Sequence, residues 1–200
     1  YVRERGMDFG LWFEPERAER GTWAQREYPE LFWPFPDGGD RFHLNLARRD
    51  AQDWMIELLS GWIERLDLRW SRIDYNIKPA PYWHAADPSG KVQFGYVAGL
   101  YRVLDTLRER HPQWMIENCA TGGRRIDLGT IARGHTHWFS DHTVHPEVCR
   151  WMQLRAAEFL PGHCTNSSVA IDREQGDPED IDLAMTSRMM GKLSFDGDIA

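Results

Sequence analysis

The chain is poor in cysteine. Cys119, Cys149 and Cys164 are the only three among 200 residues, so they form no even set that could staple the fold as a disulfide framework. They fit a reducing compartment and favour the cytoplasm slightly, although extracellular proteins carry such cysteines too. Long apolar runs are also lacking. Nothing approaches the roughly 20 residues of a membrane-spanning helix, and no membrane partner is expected. Positive charge is in deficit as well. Lys and Arg number 24 against 31 Asp and Glu, a net charge of −7, which argues against general nucleic-acid binding. There is no Gly-x-Ser-x-Gly nucleophile elbow and no Walker lysine. The first residue is Tyr1 rather than methionine, and the last are Asp198-Ile199-Ala200. The chain is therefore read as a piece of a longer fold, expected to be inactive and poorly folded by itself.

What is present suits one domain. Hydrophobic residues make up 42% of the chain, enough to bury a core at this length. The ten tryptophans fit sugar-stacking faces and core packing equally well.

Strand and helix patterns take turns along the chain. "MDFGLWF" (7–13) is an apolar, aromatic-rich run broken by Glu14-Pro15-Glu16, and reads as a buried strand. Residues 29–40 read as a long loop, and "RFHLNLAR" (41–48) alternates as a strand does. Asp50 can cap a helix to about Leu66, with Trp54, Leu58, Leu59, Trp62, Ile63 and Leu66 on one face. "LRWSRIDYN" (68–76) is a strand, 79–90 a loop, and 92–110 a helix. "QWMIENCA" (113–120) is a strand, followed by a glycine pair and a short helix near 126–133. "HTHWFSD" (135–141), "HCTNSSV" (163–169) and "KLSFDG" (192–197) are strands. Helices lie at 146–160, with Pro146 in the first turn, and from Asp177 or Asp180 to about Met190.

Repeated β-α units imply an α/β fold with a parallel sheet, doubly wound or closed into a barrel. Polar residues choose between them. Glu14, Asp74 with Asn76, Glu117 to Cys119, Asp141 and Asn166 all stand where strands end. A (β/α)8 TIM barrel gathers the C-terminal ends of every strand around one site, whereas a doubly wound sheet gathers ligands at its switch point. The pattern favours the barrel. Eight strands need roughly 250 residues, so the chain is read as a fragment covering about strands 3 to 8.

Asp74 closes "SRID", with Arg72 two residues back on the same strand face. An aspartate there is often a turn former, but a neighbouring cation also suits a carboxylate that must stay ionised. Asp141 closes "HWFSD" in the same way. Two such carboxylates on one rim suggest paired work, as glycoside hydrolysis requires. A rival reading is a metal site. His135 and His137 share a strand face, with His142, His145 and His163 nearby. They open their strand, away from the rim, so packed or hydrogen-bonded histidines are the preferred reading and no metal is expected. Asn166-Ser167-Ser168 is a glycosylation sequon at an unfavourable place. Gly122 and Gly123 suit a tight turn.

Taken in order, these motifs resemble glycoside hydrolase family 36, the α-galactosidases or melibiases, over nearly all of the chain. "FGLWFEPE" looks like that family's third barrel strand, and "RFHLNLAR" resembles its R-x-Q-L-V-L-D-L segment, departing at Asn45 and Ala47. "RIDYN" resembles K-W-D-x-N, "CATGGRRIDLG" resembles C-x-S-G-G-x-R-x-D-x-G, and "WFSDHT" resembles W-x-S-D-N-T-D. "PGHCTNSS" and the chain's end fit the seventh and eighth strands.

The resemblance implies roles. Asp74 matches the catalytic nucleophile and Asp141 the general acid/base. Trp12 matches an aromatic lining the galactose site, Arg41 a sugar-contacting arginine, and Asn76 the motif asparagine. Arg72 stands in place of a hydroxyl-binding lysine, and Ile73 in place of a tryptophan. Cys119 and Gly122 match positions near the sugar 2-hydroxyl, with Glu117 and Asn118 reaching the rim beside them and the glycines letting the backbone approach the sugar. Arg125 and Asp127 are expected to hold that loop. His142-Thr143-Val144 follows Asp141 where the family has Asn-Thr-Asp, so that motif's second acid is missing. The aspartates that read the 4- and 6-hydroxyls would precede the chain. The implied whole is a catalytic barrel domain over 1–200, without its first two strands or flanking β domains. It would be a retaining α-galactosidase with no cofactor, acting on an α-galactoside or related carbohydrate. A related α-glycosidase such as an α-N-acetylgalactosaminidase, or an inactive sugar-binding relic, are the alternatives, and a metal-dependent barrel hydrolase is a distant third. Oligomeric state stays open, a homo-oligomer included.

Overall fold

A computed structural model describes residues 1–142, 145–171 and 181–197. The chain forms two compact units, 1–115 and 116–200.

In the first unit, β1 (Gly10–Phe13) pairs in parallel with β5 (Trp70–Ile73), with Gly10 opposite Trp70 and Trp12 opposite Arg72. Parallel strands cannot be joined by a tight turn, and the connection here is long. It carries β2 (Arg17–Glu19), α1 (Trp23–Glu27), β3 (Phe32–Pro34), β4 (Arg41–Leu44) and α2 (Arg49–Leu66). After β5 come α3 (Ala80–Ala86) and α4 (Lys91–Arg110).

The alternation in 41–48 does mark a strand, but not one of the parallel set. β4 is the middle strand of a small antiparallel sheet, between β2 and β3. It stops at Leu44 because Asn45 bends the chain, its Oδ1 accepting from the Ala47 N–H at 3.2 Å. β3 lies inside the stretch expected to be loop. Three residues including Pro34 are too few for a period-2 pattern to show, and Pro suits an edge strand. α3 was also expected to be loop. Proline in its first turn is compatible with a helix start, and Tyr82 anchors it by packing on Phe35 and His43, with ring centres 5.4 and 5.2 Å apart.

α2 departs from its expected face. Its buried residues are Ala51, Gln52, Met55, Ile56, Leu59, Ser60 and Ile63. Trp54, Leu58 and Trp62 instead line a flanking cleft of about 630 Å3, with Trp23 and Phe32. Asp50 is not the cap. Arg48 holds that position without a side-chain hydrogen bond, while Asp50 sits in the first turn. There it accepts from the Ala51 N–H at 2.9 Å and pairs with Arg48, where the helix dipole favours an anion.

The second unit pairs β6 (Met115–Asn118) in parallel with β7 (Thr136–His137), and β8 (Ser167–Ile171) in parallel with β9 (Leu193–Gly197). Between them lie α5 (Leu128–Ile131), α6 (Pro146–Ala156) and α7 (Ile181–Thr186). The strand expected over 135–141 is ladder only at Thr136–His137, followed by a single bridge from Trp138 to Asn166. The capping aspartates expected for α7 lie outside the described residues. All three cysteines are free and buried, and burial pushes the Cys149 and Cys164 thiols up.

α2 and α4 pack closely in the first unit, and Gly99 permits it. A Cβ at Gly99 would meet the Leu46 carbonyl oxygen at 1.9 Å and Gln52 Nε2 at 2.7 Å. Gly99→Ala would gain about 1 kcal/mol of helix propensity, but the clash with backbone should cost about 3 kcal/mol. A net loss is expected, read as a lowered denaturant midpoint of the intact protein. An unchanged or raised midpoint would show that the helices can part freely.

Candidate active site

Two strand ends carry the expected acids, one in each unit.

In the first unit the pleat decides which side chains meet. Trp12 and Arg72 are register partners in a parallel ladder, so they stand side by side on one face. The ladder runs one residue past β5, with the Asp74 N–H donating to the Phe13 carbonyl at 2.8 Å. Asp74 therefore shares the face of Arg72. Its carboxylate accepts from the Trp12 indole N–H at 3.3 Å, the Tyr75 backbone N–H at 2.7 Å and Asn76 Nδ2 at 2.9 Å. Donors arranged this way orient a carboxylate and favour its charged form. Asp74 is 8% exposed, while Trp12, beside it, is 48% exposed. An open indole face next to an ordered carboxylate is a surface on which an apolar sugar face can rest. Arg72 leans over the Trp70 ring, 6.0 Å from its centre.

The other face anchors the same turn. Tyr75 Oη lies 2.7 Å from His43 Nε2, and His43 stacks on Tyr96 with ring centres 4.9 Å apart. Asn76 has a second partner that sequence reasoning did not assign. Its backbone N–H donates to Glu14 Oε1 at 2.8 Å. Arg41 is exposed at the start of β4, where its carbonyl accepts from Tyr82 Oη at 3.2 Å.

In the second unit Asp141 is exposed, and its Oδ1 accepts from the Trp138 indole N–H at 2.8 Å. Sequence reasoning did not single out Trp138 as a partner of Asp141. Its place three residues before the acid in "WFSD" is the only signal. The loop after β6 folds onto this segment. Gly122 has φ +73°, and a Cβ there would come within 3.0 Å of Ser140 Cα and 3.1 Å of Asp141 N. A Cβ at Gly123 would lie 2.5 Å from the Phe139 carbonyl oxygen. The two glycines thus let backbone approach the Asp141 segment, a closer demand than the expected approach to a ligand. Cys119 is buried at the start of this loop. Asp127 caps α5, accepting from the Thr130 N–H at 3.0 Å and its hydroxyl at 2.7 Å, as expected of a loop-holding residue.

Glu117 does not reach an open rim. It is fully buried, accepts from Asn166 Nδ2 and the Thr136 hydroxyl, and pairs with Lys192 at 3.4 Å. Asn166, buried in that network, is no glycosylation acceptor in the folded chain.

Comparison with known proteins decides the family. The Melibiase family model matches residues 1–200. The chain belongs to the melibiase family. It is 29% identical to α-galactosidase Mel36A of Lactobacillus acidophilus over 100% of its own length and 28% of that protein. It is 34% identical to α-galactosidase 2 of Hypocrea jecorina over 68% of its length and 18% of that protein. A structure of a variant of the family 36 α-galactosidase AgaA from Geobacillus stearothermophilus, in complex with 1-deoxygalactonojirimycin, matches 99% of the chain and 29% of its own. The TM-score is 0.84 at 25% identity. The fold is therefore the (β/α)8 barrel expected, of which the chain covers about strands 3 to 8. The chain spans about 28% of the length of Mel36A.

The histidines of this melibiase chain have local partners. His135 Nδ1 accepts from the Ile116 N–H at 3.0 Å, and His137 Nδ1 lies 3.2 Å from Asn118 Nδ2. Among the described residues no three His, Cys, Asp or Glu side chains group so as to hold a metal ion. Burial holds His137 below the usual imidazole range, and His163 adds to this while Glu117 and Asp127 oppose it. A depressed folded pKa means the unfolded chain binds the proton first. His137 should then contribute stability above about pH 6.5, lost as pH falls toward the depressed value. The intact protein's melting temperature should drop between about pH 7 and 5.5, and the drop should be shallower in His137→Asn. An equal slope in the variant would remove His137 as its source.

Proposed function

We propose that the protein containing this chain hydrolyses terminal α-galactosidic bonds with retention of configuration, and that residues 1–200 are its catalytic barrel domain, short of two strands and any flanking β domains. The observation that carries this reading is the setting of Asp74, a carboxylate held by three N–H donors beside the open Trp12 indole. Family membership supports it.

Asp74 is the nucleophile. One oxygen forms a bond to the anomeric carbon as the bond to the leaving oxygen breaks, and Asp141 gives that oxygen its proton. Asp141, now ionised, takes a proton from water, and the hydroxide cleaves the glycosyl ester with a second inversion. Asp141 suits this exchange: Trp138 occupies Oδ1, and the side chain is exposed. In this reading Trp12 supports the sugar ring, Asn76 orients the nucleophile, and Arg41 and Arg72 contact hydroxyls. Cys119 and Gly122 border the 2-hydroxyl. No step requires a metal or organic cofactor. Arg72 offers a planar fork where the family has a lysine's point charge, which favours keeping a related α-glycosidase as the second reading. Turnover of nitrophenyl α-galactoside against α-N-acetylgalactosaminide separates the two.

The two acids should fail differently in the full-length enzyme. Asp74→Ala should abolish turnover of every substrate, by roughly 10⁴-fold or more. Asp141→Ala should lose natural α-galactosides yet keep much of its glycosylation rate on a nitrophenyl leaving group, which needs no proton. Azide should rescue Asp141→Ala as the α-azide and occupy the nucleophile's place in Asp74→Ala to give the β-azide. Reversed stereochemistry would exchange the roles, and full activity in both variants would remove this site from the chemistry.

A further inference from the structure

We propose that Glu14 is the positioning residue of the nucleophile, a buried carboxylate at the end of β1 that fixes the Asp74–Asn76 turn through Asn76. The inference rests on the reading of Asp74 as nucleophile.

β5 ends at Ile73, and the Asp74 N–H to the Phe13 carbonyl is the ladder's continuation. Past that bond, side chains hold the turn. His43 takes the Tyr75 hydroxyl, and Glu14 takes the Asn76 backbone N–H at 2.8 Å. Asn76 then holds Asp74 Oδ2 through its own amide at 2.9 Å. One residue is thus gripped at its backbone by one carboxylate and grips another with its side chain. Both Glu14 oxygens are engaged, since Oε2 pairs with Arg17 at 2.6 Å. Its side chain is 8% exposed, so it acts through Asn76 and not on the sugar. The pair borders the aromatic cleft of Trp23, Phe32, Trp54 and Trp62, apolar surroundings that strengthen a hydrogen bond to charge. A glutamine could keep one acceptor but would turn an NH2 toward the Arg17 guanidinium, so neutral replacement loosens the grip.

The test uses the full-length enzyme and nitrophenyl α-galactoside, in two backgrounds. With Asp74 present, Glu14→Gln should lower kcat by up to roughly 10²-fold, the scale of a misplaced reacting group, with KM within about threefold. With Asp74→Ala and azide as nucleophile, the same change should alter the rate of β-azide formation by less than about twofold, because the group that Glu14 positions is gone. An equal loss in both backgrounds would make Glu14 a general structural residue and overturn the proposal, as would an unchanged kcat. Should Glu14→Gln fail to fold, Arg17→Gln loosens Glu14 without removing it, and is expected to show the same selective loss by a smaller factor. An equal or absent effect there overturns the proposal too. A wrong assignment of Asp74 shows separately, as Asp74→Ala that still hydrolyses or yields no β-azide before Glu14 is touched.

Discussion

The parallel register of β1 against β5 is the constraint on which the first strand-end cluster depends. Setting Trp12 opposite Arg72 puts an indole and a guanidinium side by side, and the next ladder bond carries Asp74 onto the same face. A slip of one residue would put Trp12 on the opposite face from Arg72 and Asp74. Gly10 helps fix that register, because a Cβ there would strike the Trp70 ring at 2.5 Å. Trp70 can lie across β1 only where the facing residue has no side chain. A glycine in the strand, usually a weakness, here makes room for the ring.

The strand that leads into Asp74 also alternates between two environments. Arg72 and Asp74 face the Trp12 side. Ser71 and Ile73 are buried on the other, where Ser71 accepts from the Trp114 indole N–H at 3.0 Å. Tyr75 continues that buried face and fastens to His43. Asp74 is thus flanked in sequence by anchored side chains, the kind of support a group held within a fraction of an ångström would need.

How far this was legible in the sequence varies with the range of the interaction. The place of Asp74 and Asn76 at a strand end, with Arg72 on the face of Asp74, was readable because strand parity is local, whereas Trp12 was singled out only by the family resemblance. The class of fold was readable because apolar runs alternate with helical stripes. Glu14 and Trp138 were not assigned, although both stand within three residues of named positions. Glu14 acts on a backbone N–H 62 residues away, and no periodicity reports such a contact. The face of α2 was misjudged for a related reason. A helical stripe shows which residues share a side but not which neighbour covers it, and Trp54 and Trp62 line a cleft while Gln52, a polar residue, is buried by donating to the Leu46 carbonyl at 2.8 Å. Glu117 looked like rim chemistry because it precedes Asn118 and Cys119. Its pairing with Lys192, 75 residues on, instead makes it the buried half of an ion pair whose lysine is partly exposed.

The contrast between the two acids argues for their division of labour. Each accepts from an indole N–H, Asp74 from Trp12 and Asp141 from Trp138. Beyond that they differ. Asp74 is buried and takes two further donors, which suits a group that attacks as an anion and must not rotate. Asp141 is exposed, with Trp138 on Oδ1 and Oδ2 without a protein partner among the described residues, which suits a group whose task is to carry a proton to the leaving oxygen and take one back from water. A nucleophile gains from many donors because each favours its charged state. An acid/base cannot be held so firmly, since it must visit both protonation states in every cycle. Unequal donor sets on two otherwise similar strand ends are therefore a physical reason for assigning nucleophile and acid/base in this order and not the reverse.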